Sequence, residues 1–214
     1  VFRKLSVLPV LLAVFSLTSA AAPPGAAALG LSNRQVARAA PHRTARPTAH
    51  RARQSQSQSQ AGPAAACPGA DAAEAPVPEQ EQTMRCLVDF ARRAAGRPAL
   101  ADSAELDRSA EAKSTDLLRC DEFSHFACGR EFTYWMKVSG YLPARCWRVG
   151  ENLAMVSGPD VTVRTVFGLW MHSPGHRRNI LGDYRQLGLG LRIGALDGQQ
   201  GAHVWTQHFG SHCG

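Results

Sequence analysis

The 214-residue sequence predicts an α+β fold: a three-layer α-β-α sandwich around a small, mainly antiparallel sheet, preceded by a disordered tail. Three observations lead there. Apolar residues toward the C-terminus recur at helical spacing in four segments and alternate with period two in three others, and large apolar residues are nearly missing between residues 23 and 78.

At the N-terminus Arg3 and Lys4 precede an apolar run from Leu5 to Leu17, and the small residues Ser19, Ala20, Ala21 and Ala22 follow. That is the order of parts in a secretory signal. The run is shorter than the roughly 20 residues a membrane-crossing helix needs. Residues 1–22 are therefore expected to be a signal peptide, cleaved near Ala20 or Ala22, and the protein to be secreted without a stable transmembrane anchor.

Residues 23–78 read as a disordered linker rich in Ala, Pro, Arg, Gln and Ser, with the repeat Gln54-Ser55-Gln56-Ser57-Gln58-Ser59-Gln60. Such a composition buries too little apolar surface to offset chain entropy. Residues 79–214 remain as one globular domain.

The net charge of +7 is unevenly spread. Arg34, Arg38, Arg43, Arg46, Arg51 and Arg53 lie in a stretch with no acidic residue before Asp71, whereas residues 79–214 carry 16 basic and 15 acidic side chains. A nearly neutral domain argues against nucleic acid as a partner. The arginine-rich tail could make electrostatic contact with an anionic envelope surface.

Six cysteines, an even number in a chain that reads as exported, point to disulfides, and the lack of C-x-x-C pairs argues against a metal knuckle. Six cysteines allow fifteen connectivities. The expected set is Cys86 with Cys120, Cys128 with Cys146, and Cys67 with Cys213.

Within the domain, Met84, Leu87, Val88 and Ala91 mark the first helix, stopped at Gly96 before Pro98. A second is expected after Asp102, with Glu105 at capping-box spacing, turning Leu106, Ala110 and Leu117 inward and ending at Cys120. A third runs from Glu131 to Ser139 with Phe132, Trp135 and Met136 buried, closed by Gly140. Pro159 is expected to open the fourth, whose stripe is Val163, Val166, Phe167 and Trp170. The strands are Val149–Val156 and a hairpin: Leu187, Leu189, Leu191 and Ile193 alternate, turn residues fill Asp197 to Gly201, and His203 to Phe209 alternates again.

Three polar positions stand at the edges of apolar segments: His125, Glu151 and His176. Two imidazoles and a carboxylate can bind zinc, but their wide separation in sequence does not establish that they meet, and from residue types alone hydrogen bonding within the fold is the preferred reading for each. His172 and His176 are spaced i, i+4, yet Pro174 and Gly175 break the helix that would align them.

The segments Phe123-Ser124-His125, Gly150-Glu151-Asn152-Leu153-Ala154, Trp170-Met171-His172-Ser173-Pro174-Gly175-His176-Arg177-Arg178-Asn179-Ile180-Leu181, Leu187-Gly188-Leu189-Gly190 and Trp205-Thr206-Gln207-His208-Phe209-Gly210 occur in that order. Together, over roughly residues 82–210, they resemble the CAP superfamily (SCP domain; cysteine-rich secretory, antigen 5 and pathogenesis-related proteins) in its bacterial secreted branch. The resemblance implies the α-β-α sandwich and a cleft lined by two histidines and two glutamates. It assigns the histidines to His125 and His176 and one glutamate to Glu151. The second glutamate's position is Ser173, which suits an N-cap ahead of Pro174. With one carboxylate missing, zinc is expected to bind weakly or not at all at His125, Glu151 and His176, and no other cofactor is implied. The implied function is a non-enzymatic extracellular binding module whose His/Glu-lined cleft takes a lipid, a cell-wall fragment or a protein partner. The alternative is a metal-dependent or His/Glu-assisted extracellular hydrolase of protease type.

Overall fold

The computed structural model describes residues 16–19, 63–142, 146–158 and 161–212. Its elements, in chain order, are β1 (Ser16–Ser19), α1 (Pro63–Ala66), α2 (Val77–Ala94), β2 (Ala101–Asp102), α3 (Ala104–Arg119), α4 (Tyr134–Val138), β3 (Trp147–Val156), α5 (Val163–His172), α6 (Pro174–Ile180), β4 (Gln186–Leu196) and β5 (Gln199–His212). The sheet order is β1-β3-β5-β4-β2, antiparallel except for the short parallel pairing of β2 with β4. This is the expected three-layer sandwich with a mainly antiparallel sheet.

Strand alternation assigns the layers. Ala154, Val156, Leu187, Leu189, Leu191, Trp205 and Phe209 form one core with Met84, Leu87 and Val88 of α2 and with Val163, Val166, Phe167 and Trp170 of α5. On the other face Leu153 and Val204 pack with Leu117, and Val149 packs with Leu106, Met136 and Phe132. Helix α3 therefore covers one face alone with the short α4, while α2, α5 and α6 cover the other. Two glycines let α3 lie almost directly on β4. A Cβ at Gly188 would stand 2.1 Å from the Leu106 carbonyl carbon, and one at Gly190 would stand 2.3 Å from the Glu111 nitrogen. The hairpin turn is tighter than the expected Asp197–Gly201: Asp197 and Gly198 both have positive φ (52° and 71°), as a two-residue type I′ turn requires, and β5 begins at Gln199.

Several boundaries differ from expectation. Ser103, and not Asp102, caps α3: its hydroxyl accepts the Leu106 N–H at 3.3 Å, while Asp102 is drawn into β2 and onto Arg85. The third helix covers only Tyr134–Val138, behind a turn in which the Tyr134 N–H donates to Glu131. Helix α5 starts at Val163 with Thr162 as its cap, and Pro159 lies outside the described residues. The domain edge placed at residue 79 falls inside α2. Residues ahead of it already pack on the domain, with Cys67 and Ala70 in the core and Asp71 paired with Arg164 at 2.5 Å. Residues 1–15 and 20–62, which hold most of the expected signal and linker, lie outside the described residues. Ser16–Ser19 of the expected signal form β1.

The expected disulfides are corrected. Cys67 pairs with Cys86 and Cys120 with Cys128, which overturns Cys86–Cys120, Cys128–Cys146 and Cys67–Cys213. The cause is the layering: Cys86 packs with the core beneath α2, whereas Cys120 ends α3 on the opposite face. Cys146 is also disulfide-bonded, and Cys213 lies outside the described residues.

Candidate functional site

Glu151 and Asn152 are neighbours on β3, so their side chains leave the sheet on opposite faces. Register places Glu151 opposite His208 and Asn152 opposite Gln207 on β5. Each residue gathers its own polar cluster.

On the α3 face, Glu151 is wholly buried and both its oxygens are engaged. Oε1 lies 2.5 Å from His125 Nδ1 and Oε2 lies 2.8 Å from His208 Nε2. The other ring nitrogen of His208 is 2.8 Å from the Ser109 hydroxyl, which α3 brings down because of the two glycines of β4. Burial alone would raise the Glu151 pKa. Hydrogen bonds from His125 and His208, with the charges of His208 and Lys113, outweigh burial and hold it down at about 2. A carboxylate accepts only, so His125 Nδ1 and His208 Nε2 carry the protons that face it.

His125 sits in the loop between Cys120 and Cys128, which their disulfide closes. The buried Lys113 ammonium donates to the His125 carbonyl at 2.8 Å. Burial lowers the Lys113 pKa, and the carboxylates of Glu151, Asp116 and Glu122 oppose that shift. Asp116 anchors the surrounding turn: it accepts from Trp135 at 2.7 Å, Arg119 at 2.8 Å and Arg130 at 2.5 Å. Burial pushes the Asp116 pKa up, and these donors more than reverse that.

On the other face the hydrogen bonds run between amide groups. Asn179 Nδ2 donates to Asn152 Oδ1 at 2.8 Å and to the Glu151 carbonyl at 3.2 Å. Asn152 Nδ2 donates to Gln207 Oε1 at 3.0 Å and to the His176 carbonyl at 3.2 Å. His176 thus belongs to α6 on the Asn152 side, and it is buried there. Ser173 occupies the N-cap position ahead of Pro174, but its side chain makes no capping hydrogen bond. His172 ends α5 and is 2.7 Å from the Gly168 carbonyl, outside both clusters.

Of the four sequence-predicted cleft residues, the fold brings His125 and Glu151 into contact and carries His176 on α6, with Ser173 at its N-cap, and α6 packs along the outer part of β3. Among the described residues no group of three or more His, Cys, Asp or Glu side chains is set to hold a metal ion. Both Glu151 oxygens accept from imidazole nitrogens, so in this arrangement the carboxylate serves as a hydrogen-bond partner of His125 and His208. Ser109, His208 and Glu151 follow the atom order of a serine-histidine-acid relay, yet all three are wholly buried. A reacting carbonyl has no approach to the Ser109 oxygen.

Sequence reasoning missed His208, Ser109 and Lys113. The signal for two of them was present: Ser109 and Lys113 lie on the stripe defined by Leu106, Ala110 and Leu117, and polar residues on an apolar face demand partners. His208 follows once β3 and β5 are paired in register.

Two concave regions lie elsewhere. One of about 550 Å³ flanks the Cys67–Cys86 bridge, with Ala72, Glu79 and Thr83 in its wall. Another of about 350 Å³ is lined by Met171, His172, Pro174, Arg177, Arg178 and Leu181 at the junction of α5 and α6. No helix among the described residues is long and apolar enough to cross a membrane.

Comparison with known proteins bears on the whole arrangement. A sequence model of the Cysteine-rich secretory protein family (CAP) matches residues 87–209, more than half of the chain. The fold is similar to that of an outer surface protein from Borrelia burgdorferi, with a TM-score of 0.54 at 15% identity over 65% of this chain and 97% of that one. An extracellular protein containing a SCP domain from Bacillus anthracis str. Ames aligns with a TM-score of 0.49 at 22% identity, over 64% of this chain and 44% of that one. No curated protein gives a match.

Proposed function

Because the chain belongs to the cysteine-rich secretory protein (CAP) family, we propose that it is a secreted, non-enzymatic binding module, which engages a lipid, a cell-wall fragment or a protein partner outside the cell. One observation carries this reading: Glu151, the acid a hydrolase would use, has both oxygens committed to His125 and His208 in a fully buried position. A general base must be within reach of substrate or water, and burial keeps this carboxylate from both. Its low pKa also makes it a poor proton acceptor near neutral pH. The cluster instead supports a rigid outer surface around β3.

The alternative is a metal-dependent hydrolase whose ion would be held by His125 and His176 beside Glu151. Calorimetric zinc titration of the oxidised chain, beside a His125→Ala, His176→Ala double variant, separates the two. The expected result is no one-to-one zinc binding in either protein. Tight binding present in the unaltered chain and lost in the variant would overturn the binding-module reading in favour of metal-dependent hydrolysis.

A further inference from the structure

The two edges of the sheet are closed in different ways. At the β4 edge, β2 covers only Gln186 and Leu187. Beyond it the outward amides are capped by side chains: Leu189 N–H donates to Asp107 Oδ1 and Leu191 N–H to Glu81 Oε1, both at 2.9 Å. Carboxylates from α3 and α2 therefore block that edge against another strand.

At the β3 edge Val149 and Glu151 face outward: their carbonyls accept from the Tyr184 hydroxyl at 3.4 Å and Asn179 Nδ2 at 3.2 Å, but among the described residues no side chain accepts from their N–H groups. Main chain covers them instead. Ser16–Ser19 lies antiparallel with Ser16 opposite Asn152, Leu17 opposite Glu151, Thr18 opposite Gly150 and Ser19 opposite Val149. Helix α6 packs alongside this strand. Beyond the stretch that Ser16–Ser19 covers, the Leu153 carbonyl accepts the Trp170 indole N–H at 3.0 Å, and no strand pairs with Leu153–Val156 on that side among the described residues.

The segment seated there reaches it from far away in sequence, and it belongs to the leader whose removal the sequence predicts. Once it departs, the outward N–H groups of Val149 and Glu151 need a replacement acceptor. We propose that the outer edge of β3 across Val149–Asn152 is a strand-addition site, which takes an extended, proline-free peptide of a partner protein in the antiparallel register that Ser16–Ser19 holds. Main-chain pairing supplies the affinity, so the ligand class is set by backbone conformation more than by side chains. The bound strand runs past Glu151, whose side chain the His125 and His208 contacts hold still. This rests on the binding-module reading and narrows its partner to a polypeptide.

The test uses the full chain in two forms, unaltered and with Leu17→Pro and Thr18→Pro, which removes two N–H groups and unseats β1. The probe is a fluorescein-labelled synthetic peptide of residues 15–20, Phe-Ser-Leu-Thr-Ser-Ala, followed by anisotropy. A second peptide carries proline at the Leu17 and Thr18 positions. The opened chain is expected to bind the first peptide, and the unaltered chain about tenfold more weakly, because its own strand competes. The proline peptide should not bind. Should the double variant fail to fold, the chain lacking residues 1–22 takes its place, with hydrogen exchange as the readout: the peptide should protect amides within 149–152. Absence of binding by a folded opened chain, equal binding of both peptides, or binding without protection at 149–152 would overturn the site. Zinc-dependent hydrolysis would overturn the binding-module reading without altering any of these peptide outcomes.

Discussion

Glu151 and Asn152 are one residue apart on β3, yet the networks they found on the two faces of the sheet are held by different physics. The Glu151 cluster is ionic: a buried carboxylate between two imidazoles, with a buried ammonium on the neighbouring loop. The Asn152 cluster is a chain of neutral amides ending on a helix carbonyl. The first should respond to pH and to loss of a single member, because an orphaned buried charge is costly. The second should respond only to loss of hydrogen bonds. His125 belongs to the first network through its ring, and His176 meets the second through its backbone carbonyl.

The largest effect should come from Glu151→Ala, which leaves two imidazoles and Lys113 facing a void. Urea unfolding at neutral pH should show a loss of ~3–5 kcal/mol, as for breaking a buried ion pair. A loss comparable to that of an amide variant would erase the distinction between the faces.

Next is the pH dependence. The folded pKa of Glu151, about 2, lies below its ordinary value of 4.5, so its stabilisation is complete above 4.5 and fades as pH falls toward 2. That loss should be on the order of 3 kcal/mol by linkage. In Glu151→Gln this component of the acid limb should be missing; an unchanged slope would show that other carboxylates carry the acid sensitivity.

Asn152→Ala should cost less, ~1–3 kcal/mol from buried partners left unsatisfied, and the cost should be the same at pH 3 and pH 7. A pH-dependent cost would mean that the amide cluster is electrically coupled to Glu151 through the sheet. Smallest is Ser109→Ala, which removes one hydroxyl from His208 and should cost ~1 kcal/mol in thermal or urea unfolding. A markedly larger loss would assign Ser109 a role in fixing the His208 ring that a single hydrogen bond does not explain.

What was legible in the sequence is what depends on local periodicity. Leu106, Ala110 and Leu117 are wholly buried as their spacing requires, and the two faces of β3 divide as alternation predicts. The helix start slipped by one residue because Asp102 and Ser103 are both good caps, and a tertiary partner, Arg85, decided between them. Connectivity of the cysteines was not legible, since it depends on which face of the sheet each helix covers. The same unknown governs His176: the hydrophobic pattern of α6 fixes which side of the helix is inward, not which part of the sheet it meets. His208 was hidden for a related reason, because strand register across β3 and β5 pairs residues 57 positions apart.

The bridge between Cys120 and Cys128 gives the site a history. It closes a loop of only eight residues in sequence separation, and His125 lies inside it. Thiols couple where the compartment is oxidising, so a freshly synthesised chain has the pieces of the cluster before it has the clasp that aims one of them. Until that bond closes, Glu151 has His208 as its fixed companion and His125 as a visitor on a slack tether. Maturation of the cluster is thus an event with a place and an order, set by where the chain is oxidised.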